Sequence, residues 1–257
     1  MNVIKLCGGL GNQMFQYAFG KAMNGGDYYD ISWYSITHVP ARPFVLHKFN
    51  TIIRTSNLFA EQPTVHEGVF DRDLTSKDGC NFIGYWQYLA YFKHIIPKLK
   101  SELQLKNEFK TPQFRYWLQG VHSGPSISVH VRRGDYLTKS KTPFEVQPVE
   151  YYTKAIEYLT SVDVIGNIFV FTDDVGWCKK NLPPTWKYPQ LSECEDWELM
   201  RNCEYNVIVN SSFSYWAALM NVHESKIVIA PNRFLVRPVD EHGYNNKIHY
   251  PENWVTI

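Results

Sequence analysis

The second half of the chain alternates short apolar strands with amphipathic helices, and this order restricts the fold more than any other feature of the sequence. In residues 126–131, serine or histidine alternates with aliphatic β-branched residues, which is the period-two pattern of a strand. Strands are predicted at 126–131, 167–172, 205–209 and 226–230, and helices at 149–159, 175–180, 195–201 and 213–220. Strands that alternate with helices form parallel sheets covered by helices on both faces. The predicted fold class is α/β.

The first half begins in the same way and then becomes irregular. The predicted elements are an apolar strand at 3–7, a glycine turn at 8–11, a helix at 12–23, a strand at 81–86 and a helix at 88–105. Pro97 is expected to kink or restart the last helix. Between residues 24 and 80, glycines and prolines interrupt the periodicity, so only short, scattered elements are predicted there.

A turn-forming tetrapeptide, His122-Ser-Gly-Pro125, lies between the two halves and is the predicted domain boundary. With 257 residues, the chain can hold one large domain or two small Rossmann-like ones. We predict an N-terminal domain (1–122) that carries the glycine-rich loop, a C-terminal ligand-binding domain (126–236), and a final segment (237–257) that packs back on the N-terminal domain.

Composition argues against several classes of protein. The 26 lysines and arginines balance 25 aspartates and glutamates, so the basic field expected for nucleic acid or an anionic membrane is missing. The five cysteines lack Cys-x-x-Cys spacing, which argues against a disulfide framework or a zinc site and indicates a reducing compartment. The start lacks the apolar core of a signal peptide, and no segment approaches the roughly 18 apolar residues of a membrane span. We expect a cytoplasmic protein without an integral membrane segment.

Two arginines stand where the 126–131 strand ends. Arg132 and Arg133 precede Gly134 and Asp135, and open α/β sheets place their ligands at the carboxyl ends of strands. A guanidinium is planar, always charged and able to bind two oxygens at once, so it suits a phosphate. Gly134 is expected to permit a sharp exit from the strand through a positive φ. The alternative interpretation is that Arg132 and Asp135 only pair with each other.

The turn Gly8-Gly-Leu-Gly11 leads into Asn12 and Gln13 at a predicted helix start. Its glycines let the backbone approach a ligand closely, so Gly11, Asn12 and Gln13 are candidate contacts. The turn matches neither the dinucleotide motif G-x-G-x-x-G nor a P-loop, because no Gly-Lys-Ser/Thr follows. A tight strand-to-helix turn with no ligand explains the glycines equally well.

Adjacent carboxylates, Asp173 and Asp174, close the apolar strand at 167–172. At a strand end they can accept hydrogen bonds from a base edge, such as guanine N1–H and N2–H₂, or from ribose hydroxyls. The alternative is that one of them caps the helix that follows, which is common for aspartate. Each acid can serve one of these purposes.

A polar cluster, Asn210-Ser-Ser-Phe-Ser214, connects the third strand of the second half to an aromatic helix. Hydroxyls and unpaired amides at a helix N-terminus form an anion site, which makes Asn210, Ser211, Ser212 and Phe213 candidate contacts. Simple N-capping is the competing explanation, but it accounts for one serine rather than the whole cluster.

A metal site is not predicted. Asp71-Arg-Asp73 has the pattern with which some glycosyltransferases hold Mn²⁺, yet it lies in a polar, irregular segment with no strand before it. A hard cation needs several convergent oxygens. The histidines include no His-x-x-x-His or His-Glu-x-x-His arrangement, so zinc is not expected either.

Several motifs together resemble the bacterial-type α-1,2-fucosyltransferases of glycosyltransferase family 11. They are Gly8-Gly-Leu-Gly-Asn-Gln-Met-Phe-Gln-Tyr-Ala-Phe-Gly20, Val129-His-Val-Arg-Arg-Gly-Asp-Tyr136, Phe171-Thr-Asp-Asp174, Asn210-Ser-Ser-Phe-Ser-Tyr-Trp216, Ile229-Ala-Pro-Asn232 and Pro251-Glu-Asn-Trp254. The resemblance covers nearly the whole chain. The chain departs from the family pattern between Lys21 and Phe49. This segment belongs to the acceptor half and is shorter here.

This resemblance implies a GT-B-like architecture, in which two Rossmann-like domains face each other across a donor cleft. It also implies GDP-β-L-fucose as donor, a galactoside hydroxyl as acceptor, inversion at the anomeric carbon, and no metal or other cofactor. The acceptor can be lipid-linked, so a peripheral association with a membrane stays open. Transfer of another GDP-sugar, transfer to a protein hydroxyl, and binding without turnover are the alternatives.

The resemblance further suggests roles for individual residues. Arg132 is the expected contact to the β-phosphate, assisted by Asn12 and by the helix start at 211–212. His130 is expected beside the nucleotide, with Arg133 close by and one of the acids Asp173 and Asp174 on guanine. Asp135 is the nearest carboxylate to act as general base, but an arginine can hold it instead, and the base is left open.

Overall fold

The computed structural model describes residues 1–23, 27–35, 42–68, 70–138, 145–234 and 250–257. The described residues up to Lys106 form one compact unit, and those from Asn107 onward form a second. Each unit is built around its own parallel sheet. The α/β class predicted from the sequence is confirmed.

The described residues of the first unit contain four short strands and three α-helices. Its elements are β1 (Asn2–Lys5), α1 (Leu10–Ala22), β2 (Asp27–Asp30), β3 (Thr64–His66), β4 (Asn81–Ile83), α2 (Leu89–Phe92) and α3 (Ile96–Glu102). The strands lie in the order β2-β1-β4-β3, and every neighbouring pair is parallel. Ile4 in β1 pairs with Tyr29 on one side and with Phe82 on the other.

Two strands of the first unit were not predicted. β2 reads Asp-Tyr-Tyr-Asp and β3 reads Thr-Val-His, so neither carries an apolar alternation that a sequence pattern can detect. Both exist because they add to a ladder that β1 and β4 already form. The helix predicted at 88–105 is restarted, as expected, with Pro97 in the first turn of α3.

The second unit contains five strands and six helices among its described residues. They are α4 (Pro112–Val121), β5 (Ser126–Val131), α5 (Gly134–Thr138), α6 (Val149–Ser161), β6 (Asn167–Thr172), α7 (Val175–Asn181), α8 (Glu193–Asn202), β7 (Tyr205–Val207), α9 (Ser212–Leu219), β8 (Val228–Ala230) and β9 (Val255–Thr256). The strand order is β6-β5-β7-β8-β9, and all pairs are parallel. No described helix of either unit is long and apolar enough to cross a bilayer.

Strand β5 lies between β6 and β7 in this sheet and is buried on both faces. Its odd-numbered residues, including Val129, join Tyr152 and Leu159 of α6 in one apolar cluster. Its even-numbered residues are polar and point to the opposite face, since side chains alternate along a strand. His130 therefore meets Phe213 of α9, with ring centroids 5.5 Å apart.

The buried polar side chains beside β5 satisfy one another. Asn206 of β7 donates to Ser128 Oγ at 2.6 Å and to the Met200 carbonyl at 3.0 Å. Asn221 Nδ2 donates to Asn206 Oδ1 at 2.6 Å and to the Cys203 carbonyl at 2.8 Å. Because buried polar groups are costly unless they are hydrogen-bonded, this network ties β5, β7 and α8 together in one register.

The structure corrects the predicted domain boundary. Helix α4 belongs to the second unit, not to a domain that ends at residue 122. The Thr111 amide donates to Glu195 Oε1 at 2.9 Å, and Lys110 Nζ lies 3.6 Å from Glu198 Oε1. The residues at the start of α4 therefore contact α8, and both helices belong to the second unit. The turn at 122–125 connects α4 to β5 rather than two domains.

The expected packing of the final segment on the N-terminal domain is wrong for its last eight residues. Strand β9 pairs with β8 in the second unit, with Val255 opposite Ile229. Trp254 packs against Tyr215 of α9, with ring centroids 5.3 Å apart. The remaining part of this predicted segment, 237–249, lies outside the described residues.

The network around Asn206 predicts a large loss of stability in Asn206→Ala. The substitution removes one buried partner each from Ser128, Asn221 and the Met200 carbonyl, so we expect the free energy of unfolding to fall by about 1–3 kcal/mol. Chemical denaturation measures this. Asn181→Ala on the exposed face of α7 is the matched control and should change stability by less than about 0.5 kcal/mol. Equal effects would contradict a structural role for the network.

Candidate active site

The predicted site residues of the second unit meet at the carboxyl edge of its sheet. The chain leaves β5, adds β6 on one side, and then adds β7 on the other side. The strand order therefore reverses between β5 and β7, which is where open α/β sheets form a ligand crevice. His130 and Arg132 come from the end of β5, and Asn210 follows β7.

Arg132 is held between two carboxylates. Its Nε and Nη2 donate to Asp135 Oδ1 at 3.0 and 2.6 Å, and its Nη1 lies 3.0 Å from Asp173 Oδ2. The guanidinium centre also lies 5.7 Å from the ring centroid of Tyr136. The Arg132 side chain is 24% exposed, so the group is partly desolvated but reachable. A guanidinium has five N–H donors, and two remain after these bonds.

The charges of the two acids stabilise the protonated form of Arg132. Burial opposes the guanidinium charge, but the attraction of Asp173 and Asp135 outweighs burial and raises the pKa of Arg132. The pairing of Arg132 with Asp135 is thus present, as the alternative interpretation proposed. Asp135 is accordingly a structural partner of Arg132 in this structure, and its role as a general base stays a prediction.

Gly134 is needed for a different reason from the one predicted. It begins α5, and its φ is not in the left-handed region, unlike that of Gly8. A Cβ on Gly134 would lie 2.8 Å from Asp173 Oδ2. A side chain at position 134 would therefore displace the Asp173 carboxylate from its contact with Arg132, which explains the glycine.

Arg133 points away from Arg132 and packs on α7. Its Nε donates to Asp174 Oδ2 at 3.2 Å, and its guanidinium centre lies 3.9 Å from the ring centroid of Trp177. This is a cation–π contact on a mostly buried side chain. These contacts give Arg133 a packing role at the end of β6, and its contact with the donor stays a prediction.

Each oxygen of the two strand-end acids already has one partner within the protein. Asp173 Oδ1 accepts from the Arg133 amide at 2.9 Å, and Asp173 Oδ2 holds Arg132. Asp174 Oδ1 accepts from the Trp177 amide at 3.0 Å as the N-cap of α7, and its Oδ2 holds Arg133. The capping alternative is confirmed for Asp174. Each carboxylate oxygen can accept a second hydrogen bond, so the interpretation of one of these acids as a guanine acceptor stays a prediction.

His130 is a neutral group under physiological conditions. It is 5% exposed, and burial, with the charge of Arg132 as a second cause, lowers its pKa to about 3. Its Nδ1 is buried and has no hydrogen-bond partner in the described structure. A buried imidazole without a partner is unusual, and it can accept or donate one hydrogen bond to a ligand in the crevice.

Asn210 and the start of α9 form the other wall of the crevice. Asn210 is 1% exposed, yet neither its Oδ1 nor its Nδ2 has a partner among the described residues. Ser211 is the N-cap of α9 but its side chain makes no capping bond. The first amides of α9, at Ser212 and Phe213, therefore face outward with the positive end of the helix dipole. Tyr136 joins this wall to α5 by donating to the Asn210 carbonyl at 3.0 Å.

Asp196 is an acid that the sequence analysis overlooked. It lies in the first turn of α8, and because α8 leads into β7, this turn is at the carboxyl edge of the sheet. Burial is the main cause that raises the pKa of Asp196 to about 7, with Glu195 adding to it. Its Oδ1 accepts from the Leu191 amide at 3.2 Å, and its Oδ2 has no partner among the described residues.

Two neighbouring side chains at the glycine-rich turn of the first unit, Asn12 and Gln13, differ in burial and in their contacts. Gln13 is fully buried, donates to the carbonyls of Gly8 and Pro43, and accepts from the Val45 amide. Its predicted role as a ligand contact is corrected, since its amide holds the turn itself. Asn12 is half-buried, and its Oδ1 accepts from Gln87 Nε2 at 3.2 Å. Gly11 is buried within the first turn of α1.

The Asp71-Arg-Asp73 segment has a local structural role. Asp71 Oδ1 accepts from the Asp73 amide at 2.9 Å and caps a short 3₁₀ helix, Arg72–Ser76. In the described part of the chain, no three His, Cys, Asp or Glu side chains converge on a point where a metal ion could bind.

Sequence reasoning missed four residues that shape these sites: Tyr136, Trp177, Asp196 and Gln87. The structure gives Ser192 and Glu195 as a capping box, and Ser-x-x-Glu is the sequence signature of one. That signature would have placed Asp196 in a first helical turn at the carboxyl edge. No sequence signal predicts the contact of Gln87 with Asn12, because it joins residues that are 75 positions apart.

Comparison with known proteins identifies relatives along the entire chain. An α-1,2-colitosyltransferase of Escherichia coli is 30% identical over 99% of this chain and 98% of its own length. The O-antigen biosynthesis glycosyltransferase WbnK of Escherichia coli is 28% identical over 98% of this chain and 99% of its own length. The galactoside 2-α-L-fucosyltransferase Sec1 of Mus musculus is 28% identical over 54% of this chain and 41% of its own length.

The fold is shared with a solved fucosyltransferase. The structure of NodZ, an α-1,6-fucosyltransferase crystallised with GDP, matches with a TM-score of 0.55 at 13% identity, over 85% of this chain and 92% of that one. Each unit has a Rossmann-like parallel sheet, and the predicted GT-B-like fold is confirmed. The family model of glycosyl transferase family 11 matches residues 1–257. The chain is a member of glycosyltransferase family 11.

Proposed function

We propose that this glycosyltransferase moves L-fucose from GDP-β-L-fucose to a hydroxyl of a galactoside, forming an α-1,2 linkage with inversion and without a metal. The crevice between β5 and β7 is the donor site. Family membership supports sugar transfer, and the names of the relatives support fucose or a closely related sugar. The five cysteines are unpaired, which agrees with action in a reducing cytoplasm.

The observation that carries this proposal is a set of buried polar groups without partners around one crevice. Asn210 and His130 are almost fully buried and unpaired, although buried polar groups normally find a partner. The uncapped start of α9 supplies outward-facing amides beside them. A diphosphate with attached sugars brings the anionic oxygens and hydroxyls that would satisfy these groups.

Arg132 is the proposed electrostatic contact to the leaving group. As the bond between the sugar and GDP breaks, negative charge grows on the β-phosphate, and fixed cations and amides stabilise that charge. Arg132 has two N–H donors left, and Asp135 and Asp173 hold its fork in place before any ligand arrives. The two acids are therefore positioning residues for Arg132. The base that removes the acceptor proton is left open.

Asp196 is the proposed acceptor for the guanine base. A guanine edge offers N1–H and N2–H₂, and a carboxylate can accept both. Each oxygen of Asp173 and Asp174 already has a partner within the protein, whereas Asp196 Oδ2 has no described partner. Because the pKa of Asp196 is about 7, its carboxylate is ionised at higher pH, and only the ionised form accepts both bonds.

A second candidate donor follows from one comparison. The relative that is 30% identical over 99% of this chain is an α-1,2-colitosyltransferase, and colitose differs from fucose only in lacking one ring hydroxyl. Transfer of another GDP-sugar is therefore the main alternative. Transfer to a protein hydroxyl and binding without turnover are the further alternatives.

A panel of sugar nucleotides tests the proposed reaction. The purified chain is incubated with GDP-fucose, GDP-colitose, GDP-mannose or UDP-galactose and a galactoside, and products are identified by mass spectrometry. We expect a fucosylated product that forms at the same rate in excess EDTA, and Asp71→Ala should transfer normally. A product from GDP-colitose alone would select the second candidate. Loss of activity in EDTA that Mn²⁺ restores would overturn the metal-free account.

Arg132→Lys tests the proposed leaving-group contact. Lysine keeps the charge but cannot reproduce the guanidinium fork, so kcat should fall by about 10²–10³ while Kd for GDP changes little. Arg132→Ala should also lower the melting temperature, because Asp135 and Asp173 lose their shared cation. Steady-state transfer, calorimetry and thermal melting measure these effects.

Arg133→Ala is the matched control for Arg132. It removes the contact with Trp177 and should lower the melting temperature more than it lowers kcat at a temperature where the variant is folded. Asp135→Asn separates positioning from base catalysis: we expect slower hydrolysis of GDP-fucose as well as slower transfer. Full activity in Arg132→Lys with an unchanged melting point would show that Arg132 only forms a structural ion pair.

Asp196→Asn tests the guanine contact through the choice of nucleotide. GDP should bind the parent protein more tightly than UDP or ADP, and more tightly than IDP, which lacks the 2-amino group. We expect the preference for GDP over IDP to be roughly 10- to 100-fold at pH 8, because IDP cannot donate the hydrogen bond from a 2-amino group to the charged carboxylate. It should shrink at pH 6, where Asp196 is mostly protonated.

In Asp196→Asn the preference for GDP over IDP should nearly disappear at both pH values. Asp163→Asn, an exposed acid in the turn after α6, is the control and should keep the full preference. Calorimetry provides the affinities. An undiminished preference in Asp196→Asn would assign guanine recognition to other groups.

A further inference from the structure

Tyr136 contacts both sides of the crevice between β5 and β7. It lies in α5, and the guanidinium centre of Arg132 lies 5.7 Å from its ring centroid. Its hydroxyl donates to the Asn210 carbonyl at 3.0 Å. Tyr136 is half-buried, so both contacts are partly shielded from water. One side chain therefore connects the end of β5 to the chain that follows β7.

The helix that carries Tyr136 depends on contacts of this kind. A helix as short as α5, which has five residues, is not stable in water by itself. Leu137 of this helix is 57% exposed and adds little apolar packing. Asp135 attaches α5 to Arg132, and Tyr136 attaches it to Asn210. These polar contacts hold α5 beside the crevice.

The chain at Asn210 makes a tight turn whose geometry Tyr136 stabilises. The Ser211 amide donates to the Val209 carbonyl at 2.7 Å, which makes Asn210 the central residue of a γ-turn. The turn uses the Val209 carbonyl, and the Asn210 carbonyl accepts from Tyr136. Because Ser211 is the N-cap of α9, a bond to Asn210 also holds the start of this helix.

The groups that Tyr136 holds are those with donors or acceptors left over. The side-chain amide of Asn210 is buried and has no partner among the described residues, and the N-cap side chain of α9 makes no capping bond. Arg132 keeps two N–H donors beyond its bonds to the two acids. Such groups bind an anion most tightly when they are fixed at the right separation before it arrives.

Tyr205 shows what a tyrosine with a local structural role looks like in the same unit. It begins β7, at the opposite edge of the sheet from Asn210, and its hydroxyl donates to Glu204 Oε1 at 2.9 Å. The hydroxyls of Tyr136 and Tyr205 are thus both bonded to the protein. They differ in place, because the bond of Tyr136 lies at the edge that carries Arg132 and Asn210.

We propose that Tyr136 is a positioning residue for the donor diphosphate: its ring supports the Arg132 guanidinium, and its hydroxyl holds the turn at Asn210 and the start of α9 in the arrangement that the diphosphate requires. The inference rests on the proposed function for the identity of the ligand. Tyr136 acts through these groups and needs no contact with the ligand itself.

Tyr136→Phe tests the hydroxyl by calorimetry. The ring stays beside Arg132 while the Asn210 carbonyl loses its donor, so Kd for GDP should rise roughly 10-fold. Kd for GMP, which lacks the β-phosphate, should change by less than about twofold. Tyr205→Phe is the matched control, since it also removes one bonded hydroxyl, and should leave both constants unchanged.

A double-mutant cycle tests whether the hydroxyl acts through Asn210. In an Asn210→Ala background, one of the groups that Tyr136 positions is already missing. Tyr136→Phe should then raise Kd for GDP by less than about threefold, compared with roughly 10-fold in the parent protein. Equal effects in the two backgrounds would contradict coupling between Tyr136 and Asn210.

Tyr136→Leu tests the ring. It removes the cation–π contact with Arg132 as well as the hydroxyl, so kcat should fall roughly 3- to 10-fold below that of Tyr136→Phe. Thermal melting identifies a temperature at which both variants are folded, and transfer is measured there. A kcat equal to that of Tyr136→Phe would show that the ring does not support Arg132.

The outcomes separate this inference from the proposed function. An unchanged Kd for GDP in Tyr136→Phe, or equal rises for GDP and GMP, would overturn the positioning role while fucosyl transfer stands. If the parent protein binds GDP but transfers no fucose, the calorimetry still decides the role of Tyr136, and only the proposed reaction fails. A parent protein that binds neither GDP nor pyrophosphate would overturn both.

Discussion

The ion pairs that hold Arg132 between Asp135 and Asp173 are the interaction on which the second unit's site depends. They connect the end of β5 to the first turn of α5 and to the end of β6, so three chain segments are fixed by one guanidinium. Arg133 repeats this arrangement on the opposite side through Asp174 and Trp177. A site whose cation is held in this way needs little reorganisation when charge develops on a leaving group.

Two asparagines of the second unit show how burial distinguishes structure from function. Asn206 lies in β7 and Asn210 lies just after this strand, and both side chains are at most 1% exposed. Asn206 is fully engaged with Ser128, Asn221 and a carbonyl of α8, whereas the amide of Asn210 bonds to nothing in the described structure. Because a buried amide without partners is destabilising, the contrast supports the proposed contact of Asn210 with a ligand.

Each unit has one reversal of strand order, and polar side chains with unpaired atoms lie beside each reversal. In the second unit they are His130 and Asn210, beside a helix start that suits anions. In the first unit they are Asn12 and Gln87, whose Nδ2 and Oε1 have no described partner, and the edge-to-face rings of Trp33 and Tyr34 follow the neighbouring strand β2. The same topology thus presents two different chemistries, and the side chains that follow each strand account for the difference.

The sequence by itself determined the α/β class, the exact extents of β5 and β6, and the presence of Arg132, Asp173 and Asn210 at strand ends, because a period of two and a short apolar run are local properties. Only the tertiary structure decided which acid holds which arginine, since that depends on β6 lying beside β5. The same holds for the close approach of Gly134 to Asp173, the burial of Gln13 and the placement of α4. These features depend on contacts between residues distant in the chain, and the local pattern of residues does not encode such contacts.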